Sequence, residues 1–195
     1  MAFAQRIAAV PCSKVEISIS AKNLLDKDIT SKSDPCAVMF TQDKGSRWYE
    51  IGRTENIKNS LNPNFATTFE LDYYFEEVQN LQFCIYDLDN NTPQLSDDDF
   101  LGSIECTMGQ LVSGSPYTRP LMGKNKKQAG KGQIIIRASE VAKLNDLLHM
   151  TFKASGLDKK DFMGKSDPYL EFSRQLSDGS WQVVHRTEVI KNTLN

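Results

Sequence analysis

The feature that most constrains this chain is a long repeat. Asp28-Ile-Thr-Ser-Lys-Ser-Asp34-Pro35 and Asp161-Phe-Met-Gly-Lys-Ser-Asp167-Pro168 spell the same aspartate-bracketed turn, 133 positions apart. The register then holds without a gap. Trp48 matches Trp181, Arg53-Thr54-Glu55 matches Arg186-Thr187-Glu188, and Ile57 to Asn62 matches Ile190 to Asn195. A period this long exceeds the roughly 20–50 residues of a solenoid, so the repeated unit is a domain. The expected organisation is a loose N-terminal tail over 1–12, a complete domain over 13–139, and over 140–195 the truncated start of a second.

Within the first copy the hydrophobic period is that of β-structure. Lys14 to Ser20 alternates strictly, with Val15, Ile17 and Ile19 on one face. Further strands are expected over Cys36–Thr41, Trp48–Thr54, Phe65–Leu71, Leu81–Asp87, Phe100–Thr107, Tyr117–Leu121 and Gly132–Ala138, with a helical turn near Met108–Val112. Asn62-Pro63-Asn64, Asn90-Asn91-Thr92-Pro93 and Gly130-Lys131-Gly132 supply turn chemistry between them. Eight short strands so spaced predict an all-β, eight-stranded antiparallel sandwich. In the second copy Leu148–Ala154, Tyr169–Arg174 and Trp181–Thr187 repeat the opening strands, and Trp48 and Trp181 are expected to cover the core.

In such a sandwich the connections after odd-numbered strands gather at one end. These are Asp26 to Pro35, Glu55 to Asn64, Asp87 to Asp99 and Met122 to Lys131, and loops on a rigid scaffold are where function sits. The first carries Asp28 and Asp34; the third carries Asp87, Asp89 and the run Asp97-Asp98-Asp99. Two like charges ~4 Å apart repel by about 4 kcal/mol at an effective dielectric of ~20. A hard divalent cation reverses that sign. Calcium accepts many oxygen ligands in irregular geometry, whereas magnesium demands a tight octahedron. No His or Cys lies in these loops, which argues against zinc or copper.

The motifs Asp28-x5-Asp34-Pro35, Leu61-Asn62-Pro63-x-Phe65, Asp87-x-Asp89 and Asp99-Phe100-Leu101-Gly102 resemble those of a C2 domain. Together with Asn23 to Asp28, Tyr73-Tyr74-Phe75 and the second C2-like start, they resemble the N-terminal part of a copine. Copines are calcium-dependent phospholipid-binding proteins with two C2 domains followed by an integrin-type A domain, of which this sequence contains nothing. The resemblance implies Ca2+ as cofactor and Asp28, Asp34, Asp87, Asp89 and Asp99 as its ligands. Asp97 is an alternative to Asp99, which is preferred because it directly precedes Phe100-Leu101-Gly102. The second copy contributes Asp161 and Asp167. Of the two circularly permuted C2 topologies, the type II order is expected, with Gly132–Ala138 as the closing strand.

The same resemblance implies anionic phospholipid membranes as partner, with cytosolic proteins as further partners; from the charge, no nucleic-acid partner is expected. It implies a cytoplasmic protein recruited to the plasma membrane or other membranes when calcium rises. Candidate membrane contacts are Ile29, Leu95, Phe162 and Met163 by their apolar tips, and Lys124, Lys126 and Lys127 by charge. A net charge of −2 provides no global attraction to anionic surfaces or nucleic acid, so such affinity must be local. No apolar run approaches the roughly 18 residues of a spanning helix. The four cysteines lack paired spacing and suit reduced thiols. No catalytic motif accompanies the only histidines, His149 and His185, so no enzyme is expected. The competing reading is a calcium-independent protein-interaction module or a non-functional truncated isoform.

Overall fold

A computed structural model describes residues 12–27, 31–44, 46–88, 92, 94–141, 149–159, 164–176 and 179–195. The chain divides into two compact units, Met1–Val141 and Ala142–Asn195.

In the first unit, alternation becomes burial. Val15, Ile17, Ile19 and Ala21 of β1 (Cys12–Lys22) are buried while Lys14 and Lys22 are exposed. β1 lies antiparallel between β4 (Asn64–Tyr74) and β8 (Gln128–Glu140). β5 (Asn80–Asp87) lies likewise between β2 (Pro35–Gln42) and β6 (Asp99–Thr107). β3 (Trp48–Arg53) borders β2, and β7 (Tyr117–Met122) borders β8. The order β3-β2-β5-β6-β7-β8-β1-β4 is an all-β antiparallel sandwich of eight strands. Its halves join at β6 and β7, which share one residue pair, Ser103 and Met122. The closing strand β8 stands between β7 and β1, as the type II order requires.

Phe65 and Phe69 of β4, Phe83 and Ile85 of β5, and Ile134 and Ile136 of β8 fill the core. The short helix α1 (Met108–Ser113) plugs its side with Met108 and Leu111. A reciprocal cap starts that helix: the Gln110 N–H donates to Thr107 Oγ1, and the Thr107 N–H donates to Gln110 Oε1. β8 begins four residues before the expected strand, and the connection ahead of it shrinks to Gly123–Lys127. Gly130 and Lys131, expected in the turn, lie inside β8 instead. Gly130 has φ +59, and a Cβ there would stand 2.7 Å from Leu25 Cδ2, so a glycine is what lets the strand pass Leu25.

The second unit contains one hairpin among its described residues, β9 (Glu171–Gln175) with β10 (Trp181–Arg186). Residues 149–154, expected as a strand, carry no regular structure. Their counterpart β1 receives its ladder hydrogen bonds from β4 and β8, and no described strand of the second unit stands beside 149–154. The expected strand from Tyr169 starts at Glu171 for the same reason, because the counterpart segment Pro35–Ala37 is paired only to β5. Trp48 is half-buried, but Trp181 is 62% exposed and covers no core.

Candidate functional site

The inward stripe of β5 runs Leu81, Phe83, Ile85 and then Asp87, because side chains alternate along a strand. A carboxylate thus terminates a line of core residues, and Asp87 is only 1% exposed. Its Oδ1 accepts the Asp34 N–H at 2.6 Å. Its Oδ2 is buried and has no hydrogen-bond partner. A buried, unpartnered carboxylate oxygen is costly without a cation to face it. This oxygen is the feature that fits a metal.

Asp34 closes the first connection against the second. Its Oδ1 accepts the Asn59 N–H at 2.7 Å, and its Oδ2 receives the Lys58 ammonium at 2.7 Å. Asn59 takes a left-handed conformation (φ 57) and accepts the Lys32 N–H through Oδ1 at 2.8 Å. Beneath them, the buried Ser33 donates to the Leu25 carbonyl and accepts the Lys27 N–H, both at 3.2 Å. The first three connections therefore meet through hydrogen bonds, Leu88 N–H to the Asp34 carbonyl among them.

The three consecutive aspartates of the third connection have different fates. Asp97 ends a 3-10 turn over Leu95–Asp97, and its carboxylate accepts the hydroxyls of Thr92 and Ser96. Asp98 is 7% exposed, and neither of its oxygens has a hydrogen-bond partner. Asp99 stands directly opposite Asp87 across β5 and β6. That register depends on an irregularity at Leu101, since Ile85 faces Gly102 while Tyr86 faces Phe100. Gly102 has φ +146, and a Cβ there would lie 2.8 Å from Leu121 Cβ. The glycine of Phe100-Leu101-Gly102 thus permits the shift that puts Asp99 on the Asp87 face.

Asp28, Ile29, Asp89, Asp161, Phe162 and Met163 lie outside the described residues. Among the described residues no three His, Cys, Asp or Glu side chains converge as a metal centre. Asp34 and Asp87 are joined and Asp99 faces Asp87, so a complete five-carboxylate set would have to draw on Asp28 and Asp89. Leu95 is half-buried within its 3-10 turn, while Lys124, Lys126 and Lys127 are exposed on the β7–β8 connection. Two features of the site escaped sequence reasoning. Asp98 has no separate signal within an aspartate run. Lys58 does have one: Asp34 to Lys58 and Asp167 to Lys191 share a 24-residue spacing.

The second unit repeats the Asp34 arrangement. Asp167 Oδ1 accepts the Asn192 N–H at 2.7 Å, Oδ2 receives Lys191 at 2.8 Å, and Asn192 Oδ1 accepts the Lys165 N–H at 2.7 Å. The Lys191 hydrogen bond, followed by the Asn192 N–H, holds the Asp167 carboxyl below its ordinary range. Among the described residues of this unit no buried carboxylate corresponds to Asp87.

Residues 14–122 and 146–195 match the family model described as the C2 domain. In fold, the chain is similar to the C2A domain of a plant extended synaptotagmin 1, with 18% identity over 67% of this chain and 97% of that one and a TM-score of 0.51. It is similar also to the BON1-C2B structure, with 20% identity over 68% of this chain and 94% of that one and a TM-score of 0.53. At these identities the likeness is one of fold.

Proposed function

This chain belongs to the C2 domain family, whose members are lipid- and calcium-binding modules, and from that premise we propose that it binds anionic phospholipid membranes in a calcium-dependent way, as a copine does. The observation that carries this reading is the Asp87 carboxylate, buried at the end of a core stripe with one oxygen bonded and the other unpartnered. Asp28, Asp34, Asp87, Asp89 and Asp99 would hold the calcium, and the opposition of Asp87 and Asp99 supports Asp99 over Asp97. Bound calcium supplies neutralisation of the loop end and coordination sites for headgroup oxygens. The chain's own part is to preset the carboxylates: the Asp34 and Asn59 N–H groups orient two of them, and the Gly102 irregularity turns the third. Lys58 balances Asp34 in the absence of metal. The copine assignment rests on the motifs of the sequence, including the second C2-like unit.

We read the protein as a cytoplasmic binding module recruited to membranes, and not as an enzyme. Burial pushes the Cys84 and Cys106 thiols up to about 12, so neither is a ready nucleophile. Co-sedimentation with phosphatidylserine-containing vesicles tests the reading. Binding is expected in calcium and not in chelator, and it should weaken as salt shortens the ~8 Å screening length. Equal binding in chelator, or to purely zwitterionic vesicles, would overturn it.

A further inference from the structure

Between the first connection, the start of β6 and the β7–β8 connection lies a pocket of about 420 Å³. Lys27, Lys124 and Lys127 line it, with Asn125, Phe100 and Asp99. We infer that it is a binding site for a phosphomonoester group, the group carried by a phosphorylated lipid headgroup or by a soluble sugar phosphate.

Charge is the first ground. Among the described residues none of the three lysines makes an ion pair, so their ammonium groups are available to an anion. Among the described residues the pocket sets one carboxylate, Asp99, against three positive charges, and a phosphomonoester carries about −1.5 to −2 at pH 7. Asp99 is also a candidate calcium ligand, so neutralising it would leave the charged groups of the described lining all cationic. Calcium and the phosphate group then strengthen each other's binding, and the coupling is reciprocal.

Shape is the second ground. The Gly123 N–H donates to the Lys127 carbonyl at 2.7 Å, the Lys126 N–H donates to the Gly123 carbonyl at 2.9 Å, and Lys126 is left-handed with φ 59. This tight turn sets Lys124 and Lys127 on the pocket and leaves Lys126 off it. Asn125 Oδ1 accepts the Lys127 N–H at 3.0 Å, so the amide nitrogen is what Asn125 has left to donate. The Lys124 ammonium lies 5.7 Å from the centroid of the Phe100 ring, which places a cation beside an aromatic face. The volume exceeds a bare phosphate and falls within the range of about 300–1,000 Å³ usual for small-molecule sites, leaving room for a sugar or inositol ring.

The inference rests on the membrane reading only for a lipid source of the phosphate. The test compares two double variants with the same charge loss, Lys124→Gln with Lys127→Gln, and Lys22→Gln with Lys131→Gln. Both residues of the second pair are exposed on the adjoining strands β1 and β8, and neither lines the pocket. Each full-length protein is titrated in calcium with a soluble inositol bisphosphate, and with vesicles carrying either a phosphoinositide or phosphatidylserine at equal charge. Removing the pocket pair should weaken phosphomonoester binding at least about tenfold, as expected for losing two charge-assisted hydrogen bonds, and the other pair less than about threefold. Binding of the soluble compound assigns the site to soluble phosphates. A phosphoinositide preference seen only on vesicles assigns it to a headgroup. Equal losses from the two pairs, or a wild type that distinguishes neither phosphomonoester from its control, would overturn the pocket. Failure of the wild type to bind phosphatidylserine vesicles in calcium would instead overturn the membrane reading.

Discussion

The two copies of the aspartate turn fold alike locally and differ in what surrounds them. The β9–β10 hairpin repeats the register of β2–β3 residue for residue: Glu171 faces Arg186 as Val38 faces Arg53, and both ladders shift at the same place. The Asp167–Lys191–Asn192 network repeats Asp34–Lys58–Asn59. Met150 and Phe152, however, are 58% and 51% exposed, where their counterparts Ile17 and Ile19 are 0% and 1%. Loop geometry in this chain is therefore written within some 40 residues of local sequence. Burial, and the partner carboxylate at Asp87, come from strands far away in the chain.

That contrast is broken most readily at the core. Ile17→Ala should destabilise the first unit by about 2–5 kcal/mol through lost burial and a cavity. The matching Met150→Ala should change urea unfolding by less than about 0.5 kcal/mol, as exposed substitutions do. Similar costs at both positions would mean that the apolar face of the second unit is covered in solution. Limited proteolysis should likewise cut first beyond Val141, where the described residues share the single β9–β10 ladder.

A smaller effect separates Glu55 from its counterpart Glu188. Burial pushes the Glu55 carboxyl up, but the Ala66 N–H and the hydroxyl and N–H of Thr67 outweigh it and hold the group below its ordinary range. A depressed carboxyl contributes stability that is present above its unfolded-state pKa and lost as pH falls through the folded one. Glu55→Gln should thus cost about 1.5–3 kcal/mol at pH 7. The loss should shrink toward zero in acid melts. Glu188→Gln should cost nothing measurable at any pH, since Glu188 is exposed and clamps no strand.

The smallest effect sits on the repeated lysine. An exposed ion pair is worth about 0–1 kcal/mol, so Lys58→Gln should leave melting nearly unchanged. Because its ammonium occupies Asp34 Oδ2, its removal should tighten calcium binding by up to about fivefold, while Lys191→Gln changes nothing. Calcium titration followed by calorimetry measures both. A weakened site in Lys58→Gln would show that the lysine supports the metal rather than competing with it.

Much of this was legible in the sequence because it is local or periodic. The alternation of β1 and the stripe of β5 follow from side-chain parity, and the gathering of loops at one end from the alternating direction of antiparallel strands. What escaped depends on distant pairing. Residues 149–154 carry the pattern of β1, yet a strand needs neighbours as well as a pattern. Gly130-Lys131-Gly132 reads as a turn, yet lies within β8, whose early part β7 brackets by pairing Met122 with Gln128 and Pro120 with Gln133. In the run Asp97-Asp98-Asp99, one residue bonds the 3-10 turn, one is buried and one faces Asp87, a division set by an irregularity two residues further on.

The most direct test of calcium binding at the first unit is the melting temperature of wild type and Asp87→Asn across a calcium titration. Ligand binding to the native state alone adds about 2.7 kcal/mol at a hundredfold excess over Kd. Wild type should therefore melt several degrees higher in saturating calcium than in chelator. Asp87→Asn keeps an acceptor for the Asp34 N–H and loses a buried charge, so it should melt no lower than wild type in chelator and gain nothing from calcium. A wild type indifferent to millimolar calcium, or a variant stabilised as fully as wild type, would contradict the assignment of Asp87 and its neighbours as the metal site.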